Sequence, residues 1–389
     1  MKQKMAAITG GGSNGGELLS RWPNLPGDVL ASITDLLDPK IGILRLRSIC
    51  RSWRSSLSLL PPAINFPLKL PLLASNGASS SPSSHPPSGN LFLHERTVYF
   101  LSPPGYPSSN GGFLIKVKES KNAPNTFSLL NPILFEDKLP QPNFPLNLLD
   151  CSISLVCKSY VVSTDFECEQ VVLKKVAVST NFVNNGEFVV LGLKFSGGLL
   201  IWRFGDEGWT EIGVNGRCFD DIISYNDKFY ATADMKGRLV MIDSRLKPID
   251  LVPKLMFGSG ISTHLVECDG NLYVVDQDID NRGSKLGVFK LDDKGHFWDY
   301  ELDLNDSVFF VGDYANFSLS RKYYNGGLRN MIYFKDVSLD DDGGEIDGHI
   351  KVFDLKTNTS SLLFESEKYA KLCWPPLSWF SQDAAIYFN

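Results

Sequence analysis

Five histidines, His85, His94, His264, His296 and His349, stand far apart along the 389-residue chain. None belongs to the H-E-x-x-H pattern that puts two imidazoles on one helix face for zinc, and no Walker loop is present. Gly10, Gly12 and Gly15 spell the dinucleotide fingerprint as letters, but no strand leads in and no βαβ unit follows, so they read as part of a flexible tail. Asp276, Asp278 and Asp280 begin like a calcium loop. Position six is then Asn281 rather than Gly and position twelve Gly287 rather than Glu, which removes the sharp turn and the bidentate ligand. A solvated hairpin is expected there, and an exposed acidic loop at Asp340, Asp341, Asp342, Glu345 and Asp347. Seven cysteines are odd in number and scattered, with no C-x-x-C pair, which fits reduced thiols of the cytosol or nucleus. No cofactor or metal is implied, and a catalytic triad stays open only because its members meet in space rather than in sequence.

Composition sets the frame for these residues. Thirty-eight basic and 44 acidic side chains give a net charge of −6, which argues against a nucleic-acid binder. No run of eighteen apolar residues suggests a membrane span, because the stretch Leu59 to Ala74 is broken by four prolines. Residues 1–20 are rich in Gly, Ser and Asn and read as a tail. Residues 21–60 have helical periodicity, and residues 61–90 are a Pro/Ser-rich linker. From residue 91 to 389, short apolar runs alternate with Gly, Asn and Asp turns, a β pattern.

The helical segment carries two apolar stripes. Val29, Leu30, Ile33, Leu36 and Leu37 form the first, after a start marked by Pro26 and Asp28. Leu46, Ile49, Cys50, Trp53 and Leu57 form the second, expected on one continuous helix with Arg45, Arg47, Arg51 and Arg54 on a solvated face. About 40 residues is near the floor for a domain that folds alone. Short helices of that size leave apolar surface over, to be covered either by the β region or by a separate protein. The Pro/Ser separator tilts the choice toward a separate protein.

The β region repeats an outline of strand, Gly turn and second strand from Gly186, Asp227, Asp269 and Arg329. The spacing Tyr230 to Tyr273 is 43 and Phe188 to Phe229 is 41, near the period of propeller blades. Tyr273 to Tyr333 is 60, longer than one blade, and the acidic stretch Asp340–Asp347 reads as an insertion. About 300 residues at that period predict six or seven blades. Trp202, Trp209, Trp298, Trp374 and Trp379 are expected mainly in blade cores.

On these residues the chain resembles a known family. Trp22–Leu37 (W-x-x-L-P-x-D-V-L-x-x-I-x-x-x-L) followed by Arg45–Ser56 (R-L-R-S-I-C-R-S-W-R-S-S) is similar to an F-box. The phrases LLNPI at Leu129, GDEGWTEI at Gly205, CFDDIISYNDKFYATADMKGRLVMID at Cys218 and HLVECDGNLYVV at His264 resemble plant F-box proteins of the KIB type. The resemblance implies a mainly β chain, a kelch-like β-propeller preceded by a small three-helix F-box. It implies docking on a Skp-type adaptor, and through it a cullin, in an SCF-type ubiquitin ligase, with an unknown protein target recruited on the propeller. The adaptor-facing and box-core pattern falls on Leu25, Pro26, Val29, Leu30, Ile33, Leu37, Leu44, Ile49, Cys50 and Trp53. Gly42 stands where relatives carry an acid, a departure at the start of the middle helix. The expected role is a non-catalytic receptor in nucleus or cytoplasm. A propeller interaction module outside any ligase, or a propeller hydrolase, are the alternatives.

Overall fold

The computed structural model describes residues 25–34, 41–57, 64, 66–73, 90–102, 112–119, 127–130, 132–133, 151–164, 172–182, 187–213, 216–243, 246–253, 255, 261–280, 283–312, 314–320, 329–336, 338–339, 345–346 and 350–362. The chain divides into two compact units, Met1–Asn65 and Phe66–Asn389.

The first unit contains three short helices, α1 (Gly27–Thr34), α2 (Ile41–Ile49) and α3 (Arg51–Ser56). Helix α1 starts where Pro26 predicts, and its carbonyl accepts the Leu30 N–H at 3.1 Å. The expected continuous second helix is instead broken at Cys50. That residue is extended (φ −154°, ψ 168°), and its Sγ accepts the Trp53 N–H at 3.4 Å, so it caps α3. The backbone stays helical through Gly42. Leu30, Leu46, Trp53 and Leu57 are buried together, with Leu25, Ile33 and Cys50 around them.

The second unit is built from antiparallel sheets. Its strands are β1 (Leu68–Leu70), β2 (Leu91–Ser102), β3 (Phe113–Glu119), β4 (Phe127–Leu130), β5 (Ser152–Thr164), β6 (Lys175–Phe182), β7 (Glu187–Leu193), β8 (Leu199–Arg203) and β9 (Thr210–Ile212). They continue as β10 (Phe219–Tyr225), β11 (Lys228–Ala233), β12 (Arg238–Ile242), β13 (Pro248–Val252), β14 (Ser262–Cys268), β15 (Asn271–Asp280), β16 (Gly283–Leu291) and β17 (Trp298–Tyr300). The last are β18 (Val308–Val311), β19 (Phe317–Leu319), β20 (Met331–Lys335), β21 (Ser338–Leu339), β22 (Glu345–Ile346), β23 (Ile350–Asp354) and β24 (Thr359–Leu362).

β10 to β13 and β14 to β17 are four-stranded meanders in chain order, and β6 to β9 have the same plan. The two-residue turns Asn226-Asp227 and Asp269-Gly270 have positive φ at both positions, which matches the twist of the strands they join. The first blade has the order β4-β3-β2-β5 and meets β6 through the single pair Tyr160–Val176. The fifth has the order β19-β18-β20-β23-β24, with β18 and β20 parallel. Among the described residues five blade units can be traced. Strands β2, β5 and β15 are ten or more residues long, and the fifth unit carries β19 and the small β21–β22 hairpin within its span. The β unit also begins before the expected border at residue 91. Between Pro67 and Pro71, β1 pairs Leu68 with Leu93 and Leu70 with Leu91, and the Phe66 ring lies 5.7 Å from Tyr160 and 6.4 Å from Phe188.

Apolar clusters fill the spaces between blades. One joins the second and third blades around Val189, Leu191, Phe229 and Val240. Another joins the third and fourth around Leu239, Val252, Val274 and Phe289, and a third joins the fourth and fifth around Val275, Val288, Phe309 and Phe334. A further cluster sets Val98, Phe100 and Leu114 of the first blade against Val308, Phe310 and Tyr333 of the fifth. Phe310 stacks on Phe317 at 4.6 Å and on Tyr333 at 5.0 Å within it. The innermost strands β6, β10, β14, β19 and β5 are successive neighbours, and β5 returns to β6, so the ring closes.

Candidate functional site

The helical unit sorts its apolar side chains into two groups. Leu30 and Trp53 are turned into its core, and Leu25, Ile33 and Cys50 are half-buried at the edge of that core. Pro26 is exposed, Val29 is 40% exposed and Ile49 is 60% exposed. Leu44 lies on α2, and Leu37 lies outside the described residues. The arginines are not simply a solvated face. Arg47 Nη1 donates to the Arg54 carbonyl at 2.9 Å and also to the Leu57 carbonyl, and Arg54 Nε donates to the Arg47 carbonyl at 3.1 Å. These bonds satisfy carbonyls at the ends of α2 and α3, where helices leave acceptors unpaired. They also fix the elbow between the two helices, which presents Ile49 on its outside.

The innermost strands of the ring hold a buried polar cluster. Asp221 of β10 is 2% exposed. Its Oδ1 accepts from Lys175 Nζ on β6 and from its neighbour Ile222 N at 2.8 Å. Its Oδ2 accepts from Leu265 N on β14 at 2.6 Å and from Asn316 Nδ2, ahead of β19, at 2.7 Å. Asn316 also donates to the Leu265 carbonyl at 3.0 Å and accepts from Gly312 N at 3.2 Å. One carboxylate thus joins the second, third and fourth blades to the approach to the fifth. Its partners Lys175, Leu265 and Asn316 line a cavity of about 250 Å³, together with Tyr160, Ser224 and Tyr314 among others. No spacing in the sequence marks this cluster, because its members come from four separate blades.

The motifs picked out in the sequence lie elsewhere. Asp276, Asp278 and Asp280 lie on strand β15 rather than in a solvated hairpin, and Asp276 is 6% exposed with no hydrogen-bond partner at Oδ1. Burial, with Asp278 adding repulsion, pushes the Asp276 carboxyl up to about 6. Burial does the same to Asp220, against the Met235 N–H it accepts at 2.7 Å. No group of three or more potential metal ligands occurs among the described residues. Ser262 Oγ meets His264 Nε2 at 2.9 Å, and the other group on that hydroxyl is the Gln277 amide oxygen at 3.4 Å. Cys50, Cys157, Cys218 and Cys268 are free thiols, and burial pushes the Cys157 thiol up to about 12. Trp202 is buried. Trp209 and Trp298 are half-buried and donate to the carbonyls of Pro71 at 2.9 Å and Gly237 at 2.8 Å, tying separate elements together. Trp374 and Trp379, the Gly10–Gly15 stretch, His85 and His349 lie outside the described residues.

Blades of this plan, closed on themselves and preceded by a helical unit, define a β-propeller protein with an N-terminal helical module. Residues 88–358 match the KIB1-4 beta-propeller family, and the chain belongs to that family. It is 28% identical to the F-box protein SKIP23 of Arabidopsis thaliana, over 93% of this chain and 96% of that one. It is 25% identical to the F-box protein At2g17036 of the same plant, over 92% and 95%. These alignments run through the helical unit as well as the propeller.

Proposed function

We propose that the chain is the substrate receptor of an SCF-type ubiquitin ligase. In this reading the helical unit docks on a Skp-type adaptor, and through it a cullin, while the propeller holds a protein target in the cytoplasm or nucleus. The chain itself performs no chemistry. It raises the effective concentration of target lysines at the conjugating enzyme.

The observation that carries this reading is the division of the apolar side chains. The core of the helical unit is already filled by Leu30, Leu46, Trp53 and Leu57, yet Val29 and Ile49 stay in water beside exposed Pro26. Exposed apolar anchors on consecutive helices suit burial against a partner's groove. The names of the full-length relatives, both F-box proteins, support the same assignment.

The test is co-purification of the full chain with a Skp-type adaptor. Val29→Asp with Ile49→Asp should weaken capture by at least about tenfold, because a charge is placed where an apolar contact is lost. Leu25→Ala with Pro26→Ala should act in the same direction. Both variants should keep the melting transition of the β unit. Capture at the parent level in both would overturn the proposal.

A further inference from the structure

The outer edge of the fourth blade has the form of one half of a strand pair. Among the described residues, β17 is the terminal strand of its sheet and pairs only with β16. The Glu301 N–H donates back to the Val288 carbonyl at 2.8 Å. Residues of one parity therefore bond inward, and the backbone groups of Trp298 and Tyr300 face the open side. Side chains alternate along the same stretch. Tyr300 is 57% exposed on one face, Leu302 just past the strand is 64% exposed, and Phe297, on the parity of Asp299, is 52% exposed just before it. Asp299, Glu301 and Asp303 occupy the other parity, and exposed Asp293 lies in the preceding turn. These four carboxylates are met by Lys290, opposite Asp299 in the register, and by exposed Lys294. The edge therefore carries Asp299, with Glu301 following, on one face and the exposed ring of Tyr300 on the other.

We propose that this edge receives an extended segment of a partner protein in which basic and apolar side chains alternate, added as a further strand beside β17. Cross-strand neighbours decide the occupant. Apolar residues of such a segment lie beside Tyr300, and its Lys or Arg residues lie beside Asp299 and Glu301. A second copy of this edge would set acids opposite acids, which opposes self-pairing. The inference rests on the propeller's recruiting role but not on ligase assembly. The chain carrying Leu25→Ala and Pro26→Ala should bind the segment like the parent, so failure of one proposal is distinguishable from failure of the other.

The probe is a fluorescein-labelled nine-residue peptide alternating Lys and Leu, added to the full chain and compared with a peptide of the same composition in which the lysines precede the leucines. Binding of the alternating peptide, with slowed amide exchange at Trp298 and Tyr300, is expected. Tyr300→Ser with Leu302→Ser, and separately Asp299→Lys with Glu301→Lys, should each weaken anisotropy-detected binding by about tenfold, the sum of a few cross-strand pairs. Should either variant fail to fold, amide exchange on the unaltered chain decides. Equal affinity for the blocked peptide, or no slowing at those amides, would overturn the proposal and leave the acids as a guard against edge pairing. Edge protection that instead rises with protein concentration would assign the edge to a second copy. Peptide binding seen only after removal of residues 363–389 would assign it to the chain's own C-terminal segment. Either result also overturns the proposal.

Discussion

Asp221 has four donors on its two oxygens, drawn from three blades and from the approach to a fourth. Asp221→Ala removes the carboxylate that pairs with the buried Lys175 ammonium and that accepts from Ile222 N, Leu265 N and Asn316 Nδ2. Breaking a buried pair on one side costs about 3–5 kcal/mol, so the urea midpoint of the β unit should fall by that equivalent. Lys175→Met, which removes the charge and keeps the stem, should cost less. A midpoint for Asp221→Ala within error of the parent would show that the carboxylate is not holding the ring. Asp276 is held in the opposite sense. Its folded value of about 6 lies above the ordinary 3.8, so the fold binds this proton more tightly than the unfolded chain does. That contribution is fully present below about pH 4 and is lost as pH rises through about 6. Asp276→Asn should therefore raise the urea midpoint at pH 7.5 and leave it unchanged near pH 3.5. An equal shift at both values would place the cause in packing rather than ionisation. Asp220 works in the same window and stays in place as an internal control.

At the scale of elements, β1 is the piece that linker composition concealed. It is three residues between prolines, yet Leu70 is buried against Leu91 and Phe66 packs between Tyr160 and Phe188. A chain starting at Phe66 should unfold in one transition with the parent's midpoint for the β unit. A chain starting at Leu91 should melt several degrees lower, since losing one buried Leu and one ring costs a few kcal/mol. Equal midpoints would mean that β1 merely rests on the sheet. The break at Cys50 was hidden for a different reason. Leu46, Cys50, Trp53 and Leu57 keep helical spacing across the cap, and a thiol is a weak acceptor that does not advertise an N-cap.

For the whole molecule, what could be read in advance followed from whether a signal is local. The meanders from Gly186, Asp227 and Asp269 were legible because each is closed by its own turns. The repeated outline starts one strand late in each sheet, which begins with an inner strand, β6, β10 or β14. Strand β18, second in its sheet, is buried on both faces, so it lacks the alternation that marks a half-exposed strand. The exposed anchors Val29 and Ile49 lay within the family pattern, but only packing separates them from Leu30 and Trp53. The Asp221 junction could not be read at all, because Lys175, Asp221, Leu265 and Asn316 become neighbours only once the ring exists.

Among the described residues, the first and fifth blades meet through side chains and share no strand. More than two hundred residues separate Leu114 from Val352 in that contact. At ordinary translation speed this is roughly ten to fifty seconds during which a nascent chain carries Val98, Phe100 and Leu114 uncovered. During that interval the newborn protein offers chaperones a greasy flank, which disappears when the last sheet leaves the ribosome and settles beside the first.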